Sequence, residues 1–587
     1  MPEALARDQW GKSRGLVYQT DEQAAITGET LPRRALDQVS APAFWRWLRA
    51  LGALLMLPYR ELPPAPRGRW PRLALALVTL LALSFVIYFA AYTWASFDAF
   101  LANAEDMGIM DQALWNTLHG AVLHQTICNP VSDTNCLGDV SRFAIHFEPI
   151  MLPLSLLYLL APTPKALMLV QAIVVASGAY PVFWIACRRL SSPLAGVIFA
   201  AGYLLYPALQ SAVMFDFHAV ALSMAFLLFA IYCALTRNNV GLVVACLLAL
   251  ATKEEVPLDV LMLGLAILVF QRRRKMGLGL ILLSLVWLAM ALLVMRHFSP
   301  VGHSPTAARY NYLGDNPAQA ALYLATHPIQ VLRDQMLANG GFEYLNRMLG
   351  AFSFLGLASP LTLVLCLPAL TINLLSSSSP SMHIGAHQYS AEIVPFMVFS
   401  AISGVAILWR ASRLLQPYGS LALGRLGYLA KRVGGSVGGM GLPAPVWSGV
   451  RARRVVLAAL LTLAFMGIVV QQRMVNVGAL PQVSFWAWPT ATTHSELADA
   501  VVALVPAEAS VSAQDTLVPH LSQRRYIYQY PYGADQAEYV VLDTKGYIYP
   551  FTDQDDYDQS VWFLLDDDSF ATIFDLDGYL VLQRAPG

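Results

Sequence analysis

The sequence predicts a mainly α-helical protein: a polytopic bundle of membrane-crossing segments followed by a small soluble α/β domain at the carboxyl end. Three observations predict it. Hydrophobic residues make up 57% of the 587 positions and charged residues only 13%, more apolar surface than one soluble core can hide. Apolar segments near the length that crosses roughly 30 Å of hydrocarbon recur along the chain. From about residue 490 the composition changes to sixteen Asp and Glu against four Lys and Arg, with strand-like runs between short helical ones. The net charge of zero supplies no global field for nucleic acid, so none is expected as a partner.

Taken in order, residues 1–72 read as a cytoplasmic amino-terminal segment. Its first forty residues are polar and mixed, without the basic start, apolar core and small-residue site of a secretory signal. Ala43 to Leu57 is apolar with basic interruptions, the pattern of an amphipathic helix lying in the interface. Residues 73–471 form the membrane domain, with apolar segments at 73–95, 165–187, 193–213, 218–235, 239–252, 256–270, 277–295, 351–375, 391–409 and 455–471. Several are short, which points to tilt or broken helices.

Lys and Arg stay on the cytoplasmic side. They cluster at Arg60, Arg67, Arg69 and Arg72, at Arg188-Arg189, at Arg272 to Lys275, and between Arg410 and Arg454. Those clusters place the amino terminus inside, the loops 96–164 and 296–350 outside, and the domain 472–587 outside a plasma membrane. One count fails: an odd number of crossings must lie between the 296–350 loop and the 410–454 loop, yet two apolar segments are read there. Pro360 and Pro368 interrupt the first of them, so it reads as a broken pair of short helices or leaves a crossing unread.

In the tail, a helix at 495–504 stops at Pro506, strands follow at 510–513, 526–528 and 538–543, and a hairpin pairs 572–574 with 579–582 around Asp577-Gly578. Asp553, Asp555, Asp556 and Asp558 have the charge to hold calcium. Their spacing lacks the loop glycine and closing bidentate glutamate, so a solvated acidic loop is expected. Four of six cysteines fall in apolar segments, where cysteine behaves as a small hydrophobe. Cys128 and Cys136 sit together in the first outer loop with turn formers between them, a disulfide candidate in an oxidising compartment.

No phosphate-binding glycine loop, G-x-S-x-G elbow or H-E-x-x-H helix occurs, so nucleotide hydrolases, serine esterases and zincins have no support. What remains is a series of polar residues at the outer ends of spans. Glu105, Asp106 and Asp111 lie in the first outer loop. Met107, Met110, Leu114 and Leu118 recur at helical spacing after Asp106. Asp106 then suits an N-cap, accepting from free amides, or a base at the water–lipid boundary. Asp111, about 140° further round the helix, would orient or bind.

Arg142, His146 and Glu148 precede Pro149, and Phe215-Asp216-Phe217-His218 forms the next cluster. Lys253-Glu254-Glu255 is flanked by apolar sequence, where charges face a cavity or pair with one another, a mutual Lys253–Glu254 pair being the bland case. Arg309, His387 and Tyr389 complete the set.

These strings carry a resemblance. Asp106 to Gly120, His146-Phe-Glu-Pro149, Phe215-Asp-Phe-His218, Lys253-Glu254, Pro368 to Leu375 and Tyr389 to Pro395, with Val511 to Asp515 and Pro519 to Ser522 in the tail, resemble a family of bacterial polytopic membrane proteins catalogued as a domain of unknown function and grouped with C-type glycosyltransferases. The resemblance implies a helical membrane bundle, a carboxylate in the first outer loop, and a sugar on a polyprenyl phosphate as donor. It implies Asp106 as base with Asp111 as second candidate, and leaves the need for a divalent metal open.

The expected chemistry is an inverting transfer to an acceptor hydroxyl at the outer face. Arg142, His218, Lys253, Arg309 and His387 are candidates to hold the donor phosphate, while His146, Glu148, Glu254 and Tyr389 help line the substrate site. A transporter or flippase also needs intramembrane charges and broken helices, and a non-catalytic scaffold needs neither base nor donor.

Overall fold

The computed structural model describes residues 41–128, 137–302, 305–314, 316–377, 382–383, 385–412, 449–474 and 487–585. Met1–Ala53 forms one compact unit, in which the described structure is a helix that starts at Ala41 and runs to Leu55. This is the segment expected as an amphipathic helix. The second unit, Leu54–Gly587, holds everything else.

Among the described residues, five helices are long and apolar enough to cross a membrane: Arg69–Asp98, Pro164–Arg189, Arg274–Phe298, His387–Ser412 and Ala452–Arg473. A sixth crossing is available if Pro193–Leu204 and Pro207–Met214, bent by 45° at their break, act together. Of the ten expected segments, five are single helices of this length, one is this bent pair, and four are shorter. Ala219–Leu235, Asn239–Leu250, Val256–Val269 and Pro360–Leu375 are shorter apolar helices. At about 1.5 Å per residue they reach roughly 18–26 Å, less than the hydrocarbon thickness of about 30 Å. Prolines set several of the breaks: Pro207, Pro257, Pro360 and Pro368 each stand in the first turn of a helix, where the missing amide costs nothing.

The segment read as interrupted at Pro360 and Pro368 is a short apolar run, Pro360–Leu375, whose helices start at those prolines. Between Arg274–Phe298 and the last apolar helix, one helix of full length remains among the described residues, His387–Ser412. It is 94% buried, against 28% for Arg69–Asp98 and 22% for Arg274–Phe298, so it is the central strut and those two face outward. Val256–Val269 and Arg274–Phe298 pack as a tight pair. A Cβ on Gly277 would lie 2.7 Å from the Leu268 amide nitrogen, so only glycine permits the close crossing.

The basic clusters gather at one end of the bundle. Arg189 donates to the carbonyls of Pro58 (2.9 Å) and Arg60 (2.8 Å), and Arg188 to Pro63 (2.6 Å). Arg273 reaches the Ala234 carbonyl at 3.1 Å, and the Leu62 amide pairs with Leu235 at 3.0 Å. Arg410 is close enough for its charge to act on Arg189.

Toward the carboxyl end a five-stranded sheet forms. A two-residue pair, β1 (His124–Gln125) with β2 (Val140–Ser141), precedes it in the first outer loop. The sheet comprises β3 (Val511–Ala513), β4 (Ile527–Gln529), β5 (Tyr539–Asp543), β6 (Phe570–Leu576) and β7 (Tyr579–Arg584), in the order β4-β3-β5-β7-β6. β3 runs parallel to both β4 and β5, and β7 runs antiparallel to β5 and β6. The β6–β7 hairpin turns at Asp577-Gly578, both with positive φ (53° and 92°), as a tight primed turn requires.

The expected acidic loop is a helix. Gln554–Leu565 starts at Asp553, whose side chain accepts from the amides of Asp555 and Asp556. Acids in the first turn suit the positive end of the helix dipole, so charge that reads as solvated loop is capping chemistry.

The 96–164 segment, expected as the first outer loop, is built into this domain. Phe100, Ala104, Ile109 and Ile127 share one apolar core with Val511, Ala513, Val518 and Ile527. Gly108 is a point of close approach, where a Cβ would meet Val518 at 2.9 Å and Ile127 at 3.2 Å. Gly108→Ala is expected to destabilise by about 1–3 kcal/mol through overpacking, measured as a lowered thermal midpoint in detergent; an unchanged midpoint would contradict this packing. Cys128 is disulfide-bonded, and Cys187, Cys233, Cys246 and Cys366 are free. Cys136, the expected partner, lies outside the described residues.

Candidate functional site

The carboxylate-rich run folds as a single π turn, Ala104–Gly108, that leads into the helix Ile109–Leu118. Asp106 is therefore not the N-cap. Asn103 precedes the turn in extended conformation without a side-chain cap, and its carbonyl takes the amides of Met107 (3.0 Å) and Gly108 (3.1 Å). A π turn widens the backbone and re-aims its side chains, which is why such turns recur at functional sites.

Asp106 turns toward the Phe215–His218 segment. Its Oδ1 meets His218 Nε2 at 2.9 Å, and His218 Nδ1 lies 3.2 Å from the Phe215 carbonyl. Both ring nitrogens thus face oxygen atoms, which fixes the ring between Asp106 and the Phe215 carbonyl. The Asp106 Oδ2 accepts no hydrogen bond among the described residues, and the side chain is 25% exposed. Burial pushes the Asp106 carboxyl up, but the His218 bond and the charges of His218, His387 and Arg142 outweigh it and hold the group below its usual range.

Asp216 and His387 flank this pair in left-handed backbone, with φ of 47° and 56°, a strained geometry for non-glycine residues. Asp216 Oδ2 accepts from the backbone (3.0 Å) and side-chain (3.2 Å) nitrogens of Asn103. Burial first, then the neighbouring Asp106 charge, raises its carboxyl to about 7. Gln171 locks the segment from below, accepting from the His218 amide at 2.9 Å and donating to the Asp216 carbonyl at 2.8 Å. His387 has its amide on Ser211 Oγ (3.0 Å), its ring 4.0 Å from Phe215, and a buried Nδ1 without a partner.

The other expected residues fall into neighbouring pairs. Arg142 Nε bonds Glu148 Oε2 at 3.0 Å. His146 Nδ1 meets Glu254 Oε1 at 2.7 Å, and the Phe147 amide donates to the other Glu254 oxygen at 3.0 Å. Lys253 pairs with Glu255 at 2.9 Å rather than with Glu254. Arg309 is half-buried and stands over the Tyr389 ring at 6.0 Å, with Met382 Sδ at 3.8 Å. With His387, it is one of the two phosphate candidates that have no carboxylate bonded to them among the described residues.

Asp111 belongs to a different junction. Tyr158 (2.5 Å) and Gln523 (3.1 Å) donate to its Oδ1 and Ser522 (2.5 Å) to its Oδ2, with the side chain fully buried. Burial raises its carboxyl to about 6 against those three bonds. Its oxygens are occupied by the carboxyl-terminal domain, which sets it apart from Asp106. Two site neighbours escaped the sequence reading as functional residues: Asp216, inside a string noted for its histidine, and Asp515, whose role depends on a contact 411 residues away in the chain. Among the described residues, no three His, Cys, Asp or Glu side chains converge as a metal site.

A bundle of apolar helices that carries a carboxylate turn beneath an α/β domain defines a mainly α-helical, polytopic membrane protein. The chain belongs to the DUF2079 family of predicted membrane proteins, whose match covers residues 96–423 and 433–573. A crystal structure of ArnT from Cupriavidus metallidurans bound to undecaprenyl phosphate is similar at 15% identity and a TM-score of 0.45, covering 87% of this chain and 99% of that one. No curated protein matches the chain significantly.

Proposed function

We propose that the protein is a membrane glycosyltransferase that moves a sugar from a polyprenyl-phosphate donor to an acceptor hydroxyl at the outer face, with inversion. The observation that carries the reading is Asp106. It is an ionised carboxylate with one oxygen fixed by His218 and the other open, the arrangement of a base that is oriented before its substrate arrives. The motif resemblance described above supports the same class.

In this mechanism the acceptor hydroxyl binds at Asp106 Oδ2 and gives up its proton as its oxygen attacks the anomeric carbon. The bond from that carbon to the donor phosphate breaks, and the electron pair leaves on the phosphate oxygen. Arg309 meets the growing negative charge, since it is a permanent cation and Arg142 and Lys253 are already paired with Glu148 and Glu255. We read the gathered basic clusters as the cytoplasmic end of the bundle, which supports an outward-facing Asp106 turn and sheet domain.

Mass spectrometry of lipid-linked sugars and envelope glycans tests the proposal in cells with the wild-type protein, with Asp106→Asn, and without the protein. Accumulation of one polyprenyl-phosphate sugar with loss of one glycan is expected in both defective strains. Unchanged profiles during expression would overturn it. Arg309→Ala is expected to raise KM for the donor about 10–100-fold, with Arg309→Lys intermediate, as loss of a charge-assisted bond predicts. An unchanged donor KM would remove Arg309 from the role. The bent helix pair 193–214 keeps a transporter as the second reading, and flux of the lipid-linked sugar without a glycosidic product would favour it.

A further inference from the structure

The sheet domain reaches into the Asp106 turn at one point. Asp515 stands just past the carboxyl end of β3, the strand with parallel neighbours on both sides, the edge of an α/β sheet where functional groups collect. Its Oδ1 accepts the Ala104 amide at 3.1 Å and the Gln529 side chain at 3.0 Å. Ala104 is the first residue of the π turn, and both it and Asp515 are buried. Asp515 Oδ2 is buried without a partner. Tyr549, from the same domain, donates to Glu105 on the same turn at 3.0 Å.

We infer that Asp515 is a positioning residue for Asp106, acting from the carboxyl-terminal domain by holding the first amide of the turn that presents the base to His218. The inference rests on the transferase reading for its consequence and on the contact alone for its geometry. The carboxyl does this as a neutral acid. Burial raises it to about 8 against the Ala104 hydrogen bond, and Glu105 and Asp106 on the turn and Asp216 on the segment before His218 add to the rise. The countercharges in this region, His218 and His387, are directed at Asp106. Ionised, Asp515 would add a fourth negative charge beside Glu105, Asp106 and Asp216, so repulsion around the turn grows as pH rises past about 8.

Two variants separate the parts of this claim. Asp515→Ala removes the acceptor, whereas Asp515→Asn keeps Oδ1 and mimics the neutral acid. Ala104→Pro removes the donated proton from the other side, at a helix-start position where proline is tolerated after an extended residue. Hydrogen exchange of the full-length protein in detergent, followed on a peptide that contains 104–108, should accelerate about tenfold or more in Asp515→Ala and stay near wild type in Asp515→Asn. In the transfer assay Asp515→Ala and Ala104→Pro should each lose about 100-fold in turnover, as a misplaced catalytic group does. Asp515→Ala added to Ala104→Pro should cost nothing more. Asp515→Asn should keep its turnover and lose the decline above about pH 8.

Unchanged exchange in Asp515→Ala overturns the inference whatever the transfer assay gives, as does equal damage from Asn and Ala. If Asp106→Asn leaves transfer intact while Asp515→Ala still loosens the turn, the transferase reading fails and the anchoring stands.

Discussion

Asp106→Asn is expected to lower glycosyl transfer by about 10²–10⁴-fold, the range that removal of a general base costs, while the protein folds and inserts normally. Asparagine has the same shape, and its Oδ1 still accepts from His218 across the 2.9 Å contact. What disappears is the negative charge that takes the acceptor proton. The wild-type pH profile carries the complementary signature. Since His218, His387 and Arg142 hold Asp106 below the usual carboxylate range, the base stays ionised well into acid, and no loss from its protonation is expected between pH 5 and 7. Decline should come on the alkaline side, as Asp216, raised to about 7, and Asp515, raised to about 8, ionise around the same turn. Purified protein, a defined polyprenyl-phosphate sugar and a rate measured from pH 5 to 9 check both points. An acid limb near pH 6 with full activity in Asp106→Asn would assign the base elsewhere.

The sequence made the bundle and the carboxylate turn legible because both depend on local signals. Apolar runs and basic clusters identify spans, and the break at Pro207 or Pro360 is written in the proline itself. The lengths of the helices are not legible, because apolar runs follow one another closely and tertiary packing decides where each helix ends. The tail strands were found near their observed positions, since alternation and the Asp577-Gly578 turn are local. The helix after Asp553 was missed because its first turn is acidic, and capping acids look like a solvated loop. Partner choice was the hardest part. Lys253 beside Glu254 suggests a mutual pair, yet neighbours on a tight turn point apart, and each finds another ion. The roles of Asp111 and Asp515 depend on contacts separated by about four hundred residues, which no spacing rule reaches.

Asp111→Ala is expected to be the largest stability defect in the chain. Tyr158 is a buried donor that would be left without an acceptor at about 1–3 kcal/mol, and Ser522, which keeps the Pro519 carbonyl at 2.9 Å, would lose its bond to Oδ2 at about 1 kcal/mol more. Several kcal/mol is a large share of a typical folding free energy of about 5–15 kcal/mol, so a strong drop in thermal midpoint is expected. The pH dependence has a defined sign. The folded carboxyl is raised to about 6, above its ordinary value near 4. The folded state therefore binds this proton more tightly than the unfolded chain, and the associated stability is complete below about pH 4 and lost as pH rises to about 6. Asp111→Asn should abolish that dependence while keeping one acceptor, and should fall between wild type and Ala. Thermal unfolding of the three proteins from pH 4 to 7 measures this, and transfer assayed well below the midpoint separates the two acids. If Asp111 joins the first outer loop to the sheet domain, Asp111→Asn turns over normally in the cold and melts early. A variant as inactive as Asp106→Asn at full stability would instead make Asp111 a participant in the chemistry.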